Sequence, residues 1–454
     1  MPPTDPTSLS LMALAAHYRE GELDPAEVAE VFLARLAPGD VLRLVTAGRA
    51  RRQAAAAARR WRRARLLGPL DGAPIVVKDL LDTAGDVTGA GSPALFGGAP
   101  AAADAPVVAR LDAAGAVFLG KSTMTELAFS GLGLNPHTGT PGNAFDRTRV
   151  PGGSSSGSAV AVARRLAVAA VGSDTGGSVR IPAAYNGLVG LKTTDGAIPT
   201  EGAVPLSTTL DTLGPIARDA ADAWALWQAM AALPTAPLPE APAYGRFWAP
   251  PTVWQEGLDD GVRACFDAAL TVLRDAGHQV ATAPLEELAE LDGLYARYGS
   301  FAAHEAWALH EDLLAAHGAR MDARVVDRIR AAAARPAADY LRLGYARARL
   351  RRAVWAKAVG FDALLAPTVA IAPPAIAPLV ADDAAYVTAN LRVLRSTTVG
   401  NLLGAPAATV PAGLDPDGLP VGLMITTAPG EDAAALAWAG AVERLGLQRV
   451  AAAG

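Results

Sequence analysis

Two glycine- and serine-rich segments, each running straight into an apolar stretch, restrict what this chain can be more than any other feature. The first, PGGSSSGSAVAVA, covers residues 151–163, and the second, GSDTGGSVRIPAAYNG, covers residues 172–187. Glycine lets a backbone approach a ligand closely and adopt dihedrals closed to other residues. The N–H groups of such a turn, or of the helix it opens, can hold a negative charge. A serine beside them is well set as a nucleophile with an oxyanion site at hand. Neither the Walker phosphate-loop pattern nor the dinucleotide pattern G-x-G-x-x-G occurs in either segment. A flexible linker fits poorly, because apolar runs follow at once.

The rest of the chain reads as α/β. Two helices open it, the second announced by Asp24, Pro25 and Glu27. The basic run 51–65 reads as an amphipathic surface helix, with Ala50, Ala54, Ala57, Trp61 and Ala64 on one face and arginines on the other. APIVV (73–77) is a short buried strand ending at Lys78-Asp79. Helix-like and strand-like stretches then alternate: helix 106–114, strand 116–119, helix 156–165, strand 166–171, helix 181–185, strand 188–191 and helix 219–231. The proline- and alanine-rich stretch 233–251 reads as a connecting loop. Residues 260–358 are helical in pattern, strands return at 363–366, 407–410 and 419–425, and a helix covers 432–445. The expectation is one domain over 1–454, with a dense catalytic segment at 70–215 and a helical insertion or substrate cap at 252–360.

Charge and composition narrow the function classes. With 40 basic and 45 acidic residues the net charge is −5, which argues against nucleic acid as the main partner. The single cysteine, Cys265, allows no disulfide within the chain and no cysteine-based zinc site. The N-terminus lacks the basic segment of a signal peptide, and no apolar run approaches membrane-spanning length. A cytoplasmic protein without membrane partners is expected, and a homodimer is open as its assembly.

A nucleophilic serine needs a base. Of the six histidines only His137, in NPHTG, lies near the two segments, and no G-x-S-x-G elbow surrounds either serine cluster. Lys78 ends an apolar strand. If it enters a buried site, burial disfavours its charged form and makes it a base near neutral pH; the alternative is a surface lysine paired with Asp79.

GAPIVVKDL around Lys78, GKSTMTELAFSGLGLNPHTGTPGN at 120–143, the two glycine/serine segments, and more weakly FDALLAPT, NLLGAPAATVPAG and GLPVGLMI together resemble the amidase-signature family. The resemblance implies an α/β fold with a mixed central β-sheet flanked by helices, and an amidase that cleaves a small-molecule carboxylic amide through a seryl acyl-enzyme. It implies Ser178 as nucleophile, Ser154 as a bridge carrying a cis peptide, and Lys78 as base. Thr175, Gly176, Gly177 and Ser178 would supply the oxyanion-binding N–H groups, and no metal or organic cofactor is expected. Asp174, Arg180, Ser155 and Met124 are expected in supporting roles, with Thr123 beside Met124. Tyr295, Tyr298 and His304 are candidates for a substrate cap.

The competing member of the family is the A subunit of the glutamine-dependent aspartyl/glutamyl-tRNA amidotransferase. There an aspartate shortly before the NLAG-like segment helps hold glutamine. Here Leu394 and Arg395 stand at that point, and Asn186 replaces the cysteine usual in the PAAFCG segment. Arg395 suggests instead a substrate that carries a carboxylate.

Overall fold

A computed structural model describes residues 5–447. The first four residues of the N-terminal helical reading lie outside the described residues. The strands are β1 (Leu42–Val45), β2 (Pro74–Lys78), β3 (Val117–Ser122), β4 (Ala169–Asp174), β5 (Val189–Lys192), β6 (Thr212–Ala217), β7 (Arg246–Trp248), β8 (Gln279–Ala281), β9 (Ala363–Pro367), β10 (Ala407–Leu414) and β11 (Pro420–Thr426). They form one mixed sheet in the order β1-β3-β2-β4-β6-β5-β10-β11-β9-β7-β8. Helices flank this sheet, as expected from the sequence.

Three parallel strands, β3-β2-β4, form its working part. The helices Pro106–Ala113 and Ser156–Ala163 make the two crossovers between them. Every residue of β2, β3, β4 and β6 is buried, and β2 with the first parts of β3 and β4 accordingly reads as short unbroken apolar runs and not as alternating ones. In parallel strands the C-terminal ends lie side by side. The β2–β4 register pairs Val77 with Val171, so Lys78 leaves the sheet close to Ser173. Ligands of open α/β sheets gather at such ends.

Four strands escaped the sequence reading. β6 contains Gly214 and Pro215, which argue against a central strand. It is tolerated because its ladder with β5 covers only Ile216 and Ala217, so the missing N–H of Pro215 faces no partner there. β1 is a short edge strand with a bulge. β7 lies within the stretch read as a connecting loop, and β8 within the stretch read as helical; they pair with each other, and β7 joins the sheet through β9. The 21-residue helix Asp383–Leu403 also has no counterpart in that reading.

The arginine-rich helix spans Ala47–Arg62 and buries Ala50, Ala54, Ala57 and Ala58. Ala64 lies past its end and is exposed. Four of its arginines meet carboxylates, Arg49 with Asp104 (2.7 Å), Arg51 with Glu30 (2.7 Å), Arg60 with Asp71 (2.6 Å) and Arg62 with Asp24 (2.6 Å), so much of its charge is met within the chain. Among the described residues no helix is long and apolar enough to cross a membrane.

Candidate active site

Lys78 is fully buried at the end of β2. Its Nζ donates to Ser154 Oγ at 2.7 Å and to Ser173 Oγ at 2.8 Å. Asp79, its sequence neighbour, is turned to Arg43 and to Lys121 (3.3 Å), so the Lys78–Asp79 pair considered from sequence does not form. Burial pushes the Lys78 ammonium down to about 7, although the charges of Asp174 and Asp211 favour its protonated form.

Ser154 precedes the helix Ser156–Ala163, and the Gly153–Ser154 peptide is cis. Ser155 ties the two glycine-rich loops together. Its N–H donates to Ser178 O (3.3 Å), its hydroxyl donates to Ser173 O (3.3 Å), and the Ser173 N–H donates to Ser155 Oγ (3.3 Å). Ser178 lies in the loop between β4 and the helix Arg180–Tyr185 and lines a cavity of about 640 Å³. Its hydroxyl makes no hydrogen bond to Ser154 or to any other described residue.

The loop that carries Ser178 is held from beneath by a buried ionic cluster. Asp174 and Arg180 are both fully buried and pair at 2.9 Å. Asn401 donates to Asp174 Oδ1 (2.8 Å) and accepts from Arg180 Nη2 (2.7 Å). The Asp174 carboxylate also takes the N–H groups of Gly177 (2.8 Å) and Val179 (3.2 Å). Burial alone would raise the Asp174 carboxyl, but the Arg180 charge, helped by hydrogen bonds from Arg180 and Asn401, holds it well below the usual carboxylate range. One expectation changes here. Of the four N–H groups assigned to the oxyanion, that of Gly177 is already engaged by Asp174. Gly177 cannot carry a side chain, since its φ is +131° and a Cβ would stand 2.1 Å from Thr397 Oγ1. Thr397 donates to Gly176 O at 2.6 Å, so the helix Asp383–Leu403 clamps the loop from the other side. Removing one partner of a buried pair leaves an uncompensated charge, so Asp174→Ala should cost about 3–5 kcal/mol of stability in urea unfolding; a loss under about 1 kcal/mol, the scale of an exposed pair, would mean the cluster is not needed by the fold.

Other sequence candidates fall differently. Met124 is fully buried and its carbonyl accepts from Asn135 Nδ2 (2.8 Å). Thr123 donates to Asp40 O (2.6 Å). Neither lines the cavity; Ala128, Phe129 and Ser130, from the same sequence motif, do so instead. His137 stands 3.7 Å from the buried Glu126 and bonds to none of the serines. Asn186 is a structural brace, donating to Pro151 O and Pro182 O (both 2.8 Å). Of the three cap candidates only Tyr295 lines the cavity; His304 is hydrogen-bonded to Tyr298 O at 2.8 Å.

Most of the cavity wall is apolar: Phe129, Leu206, Leu210, Tyr295, Phe301 and Leu394 among others. Three arginines also reach it. Arg395 is paired with Glu256 (2.5 Å) and lies 3.7 Å from Asp292, and Arg392 is paired with Asp259 (2.9 Å). Arg328 has no carboxylate within ion-pair distance among the described residues. It donates to Phe129 O and lies over the Phe129 ring at 4.1 Å, and burial lowers the proton affinity of its guanidinium. No sequence signal marks Arg328, because it is one arginine among several in its helix, Ala323–Arg330.

The amidase family model matches residues 35–436. The 2-amino-5-chloromuconic acid deaminase of Comamonas testosteroni is 38% identical over 452 residues, covering 96% of each chain. The A subunit of the glutamyl-tRNA(Gln) amidotransferase of Symbiobacterium thermophilum is 34% identical over 95% of this chain and 96% of its own. The solved structure of the peptide amidase PAM in complex with the competitive inhibitor chymostatin superposes with a TM-score of 0.80 at 31% identity, covering 98% of this chain and 99% of that one. The chain therefore belongs to the amidase-signature family and is a hydrolase acting on amide C–N bonds.

Proposed function

We propose that the protein cleaves a small carboxylic amide through an acyl-enzyme on Ser178, with Ser154 and Lys78 as its proton path. The observation that carries this is the buried Lys78 amine, 2.7 Å from Ser154 Oγ and brought down to about 7 by burial. The neutral amine accepts a proton from Ser154, which takes one from Ser178 as Ser178 Oγ attacks the amide carbon. The oxyanion falls to the N–H groups of Thr175, Gly176 and Ser178, since Gly177 serves Asp174. Each such donor is worth roughly 2.7–4 kcal/mol in the transition state. The C–N bond breaks as the proton returns through Ser154 to the leaving nitrogen. Water, deprotonated along the same path, then attacks the ester, the acid leaves and Ser178 regains its proton. In this reading Ser178 and Ser154 close into hydrogen-bond contact when substrate enters, as catalytic contacts commonly tighten in the substrate complex.

The substrate on this reading carries a carboxylate. The support is Arg328, a half-buried cation at a mostly apolar wall, with no carboxylate beside it among the described residues, and an unpaired charge drawn out of water is costly unless a ligand meets it. Arg395, the arginine suggested by sequence, already has its counter-charge in Glu256. The name of the Comamonas relative, which is that of an enzyme acting on an acid, agrees with this substrate class. The helices Leu291–Tyr298 and Phe301–His317, within the 252–360 segment, would act as the substrate cap.

The test is a fluorophosphonate label followed by an ammonia-release screen over neutral, aromatic and carboxylated amides. Labelling should fall on Ser178 and vanish in Ser178→Ala. An unlabelled wild-type serine would end the reading. A role within a tRNA-dependent amidotransferase is favoured by the 34% identity to the Symbiobacterium protein; glutaminase activity appearing only with a co-purifying partner would select it.

A further inference from the structure

The segment 206–211 walls the cavity but has no part in the reaction as described. Leu206 and Leu210 face the cavity. The residues between them are wired to Glu305, on the helix Phe301–His317. Its Oε2 accepts from Ser207 Oγ (2.9 Å), Thr208 Oγ1 (3.2 Å) and the Thr209 N–H (3.0 Å), and its Oε1 accepts the Tyr340 hydroxyl (2.7 Å). The segment ends at Asp211, which folds back on it. Oδ2 accepts the N–H groups of Leu206 (2.9 Å) and Ser207 (3.0 Å), and Oδ1 accepts the hydroxyl of Thr175 (2.5 Å).

Thr175 is the first residue after β4 and the first of the anion-binding turn. A β-branched residue with its one hydroxyl held has little rotameric freedom, so this bond fixes where the turn starts. Behind it lies a second cavity of about 30 Å³, lined by Ser173, Thr175, Thr208 and Asp211 among others. Ser173 is the other oxygen that Lys78 touches. The Asp211 carboxylate thus stands across a small space from the second partner of the lysine. Among the described residues it has no cation beside it.

We propose that Asp211 is a positioning residue for amide cleavage: through Thr175 it sets the anion-binding turn, and across the small cavity its charge acts on Lys78. This rests on the reading of Ser178 as nucleophile. Asp174 and Asp211 are the two charges that favour the lysine's protonated form, and they differ. Asp174, at the end of β4, is offset by Arg180 on the next helix and by Lys192 on β5. Among the described residues Asp211 faces Thr175, its own turn and Glu305. Burial, with Glu305 in the same direction, pushes its carboxyl up to about 6 against its hydrogen bonds, so its charge is present on the alkaline side of the lysine's titration. Removing its charge therefore lowers the proton affinity of Lys78 and extends the neutral base to lower pH.

The experiment follows the rate of Ser178 labelling by a fluorophosphonate against pH in the full chain, so no substrate need be known. In Asp211→Asn the acidic limb should move down by roughly half a unit to one unit. In Thr175→Val the maximal rate should fall about ten-fold with unchanged probe affinity and an unmoved limb, because only a donor is displaced. Thr175→Ser keeps the hydroxyl and should restore most of the rate lost in Thr175→Val. Asp211→Asn/Thr175→Val should be no slower than Thr175→Val alone, as expected of residues acting through one contact. A limb that stays in place in Asp211→Asn, or effects that multiply in the double variant, would overturn the proposal. Thermal melting accompanies each variant; if Thr175→Val melts early, the limb shift and the Thr175→Ser rescue decide. A wild type that fails to label at Ser178 sinks the underlying reading. A labelled wild type with an unmoved Asp211→Asn limb sinks only this one.

Discussion

Lys78→Ala should lower the rate of amide cleavage by roughly a thousand-fold or more while the protein stays folded. The variant removes the one amine within 2.7 Å of Ser154 and leaves both serine loops with their own hydrogen bonds to each other. On the proposed reading Lys78, Ser154 and Ser178 act as a unit, so Ser154→Ala should fall about as far, and the double variant little further. Ammonia release and fluorophosphonate labelling report the loss independently, and circular dichroism checks the fold. The same lysine sets the pH dependence of the wild type. In the proposed mechanism its neutral form is the base, and burial brings its pKa down to about 7. Activity should therefore rise with pH through neutrality and fall about ten-fold per unit below the limb. A variant with near-normal turnover, or a wild-type profile flat from about pH 5 to 9, a span that brackets this titration, would remove Lys78 from the mechanism.

The second large effect is expected at Arg328. Arg328→Met keeps the bulk over Phe129 but removes the cation. For an amide whose carboxylate meets that guanidinium, the loss of a charged hydrogen-bonded contact costs about 2–4 kcal/mol, or roughly 30- to 1,000-fold in kcat/KM. A neutral amide of the same size should lose little, because apolar wall contacts remain. Arg395→Ala serves as the comparison. Its charge is already met by Glu256, so it should leave the ratio of carboxylated to neutral turnover nearly unchanged. Equal losses on both substrates in Arg328→Met would mean that the arginine supports the wall and does not read the substrate.

The three residues proposed for the proton path were singled out by the resemblance of their motifs to the amidase-signature family; position alone left Lys78 open between a buried base and a surface partner of Asp79. Lys78 ends an apolar run; Ser154 and Ser178 lie in glycine-rich turns that open helices. The α/β architecture was legible from alternating helical and apolar stretches, since strands such as β3 and β4 are buried on both faces, while the mixed character of the sheet came from the family resemblance. Where the reading failed, distance along the chain was the cause. β7 and β8 are too short to show a period and become strands only by pairing with β9 and with each other. β6 violates strand chemistry at Pro215 and is permitted by where its neighbour's ladder stops.

Roles that depend on what a side chain meets across the fold were likewise closed to the sequence. Arg395 and Arg328 look alike in sequence, and only the fold gives one a carboxylate and denies it to the other. Met124 was expected beside the site, yet the turn that follows it brings Phe129 and Ser130 to the cavity in its place. Gly177 was expected to hold the oxyanion, and the carboxylate of Asp174, which lies beneath the same loop, takes its N–H. By itself the sequence determined the family and the layered α/β architecture, because local motifs and burial pattern encode these. Tertiary structure alone decided which charges are compensated, which donors are free and what walls the cavity, because those depend on contacts between residues up to more than two hundred positions apart, such as Asp174 with Asn401.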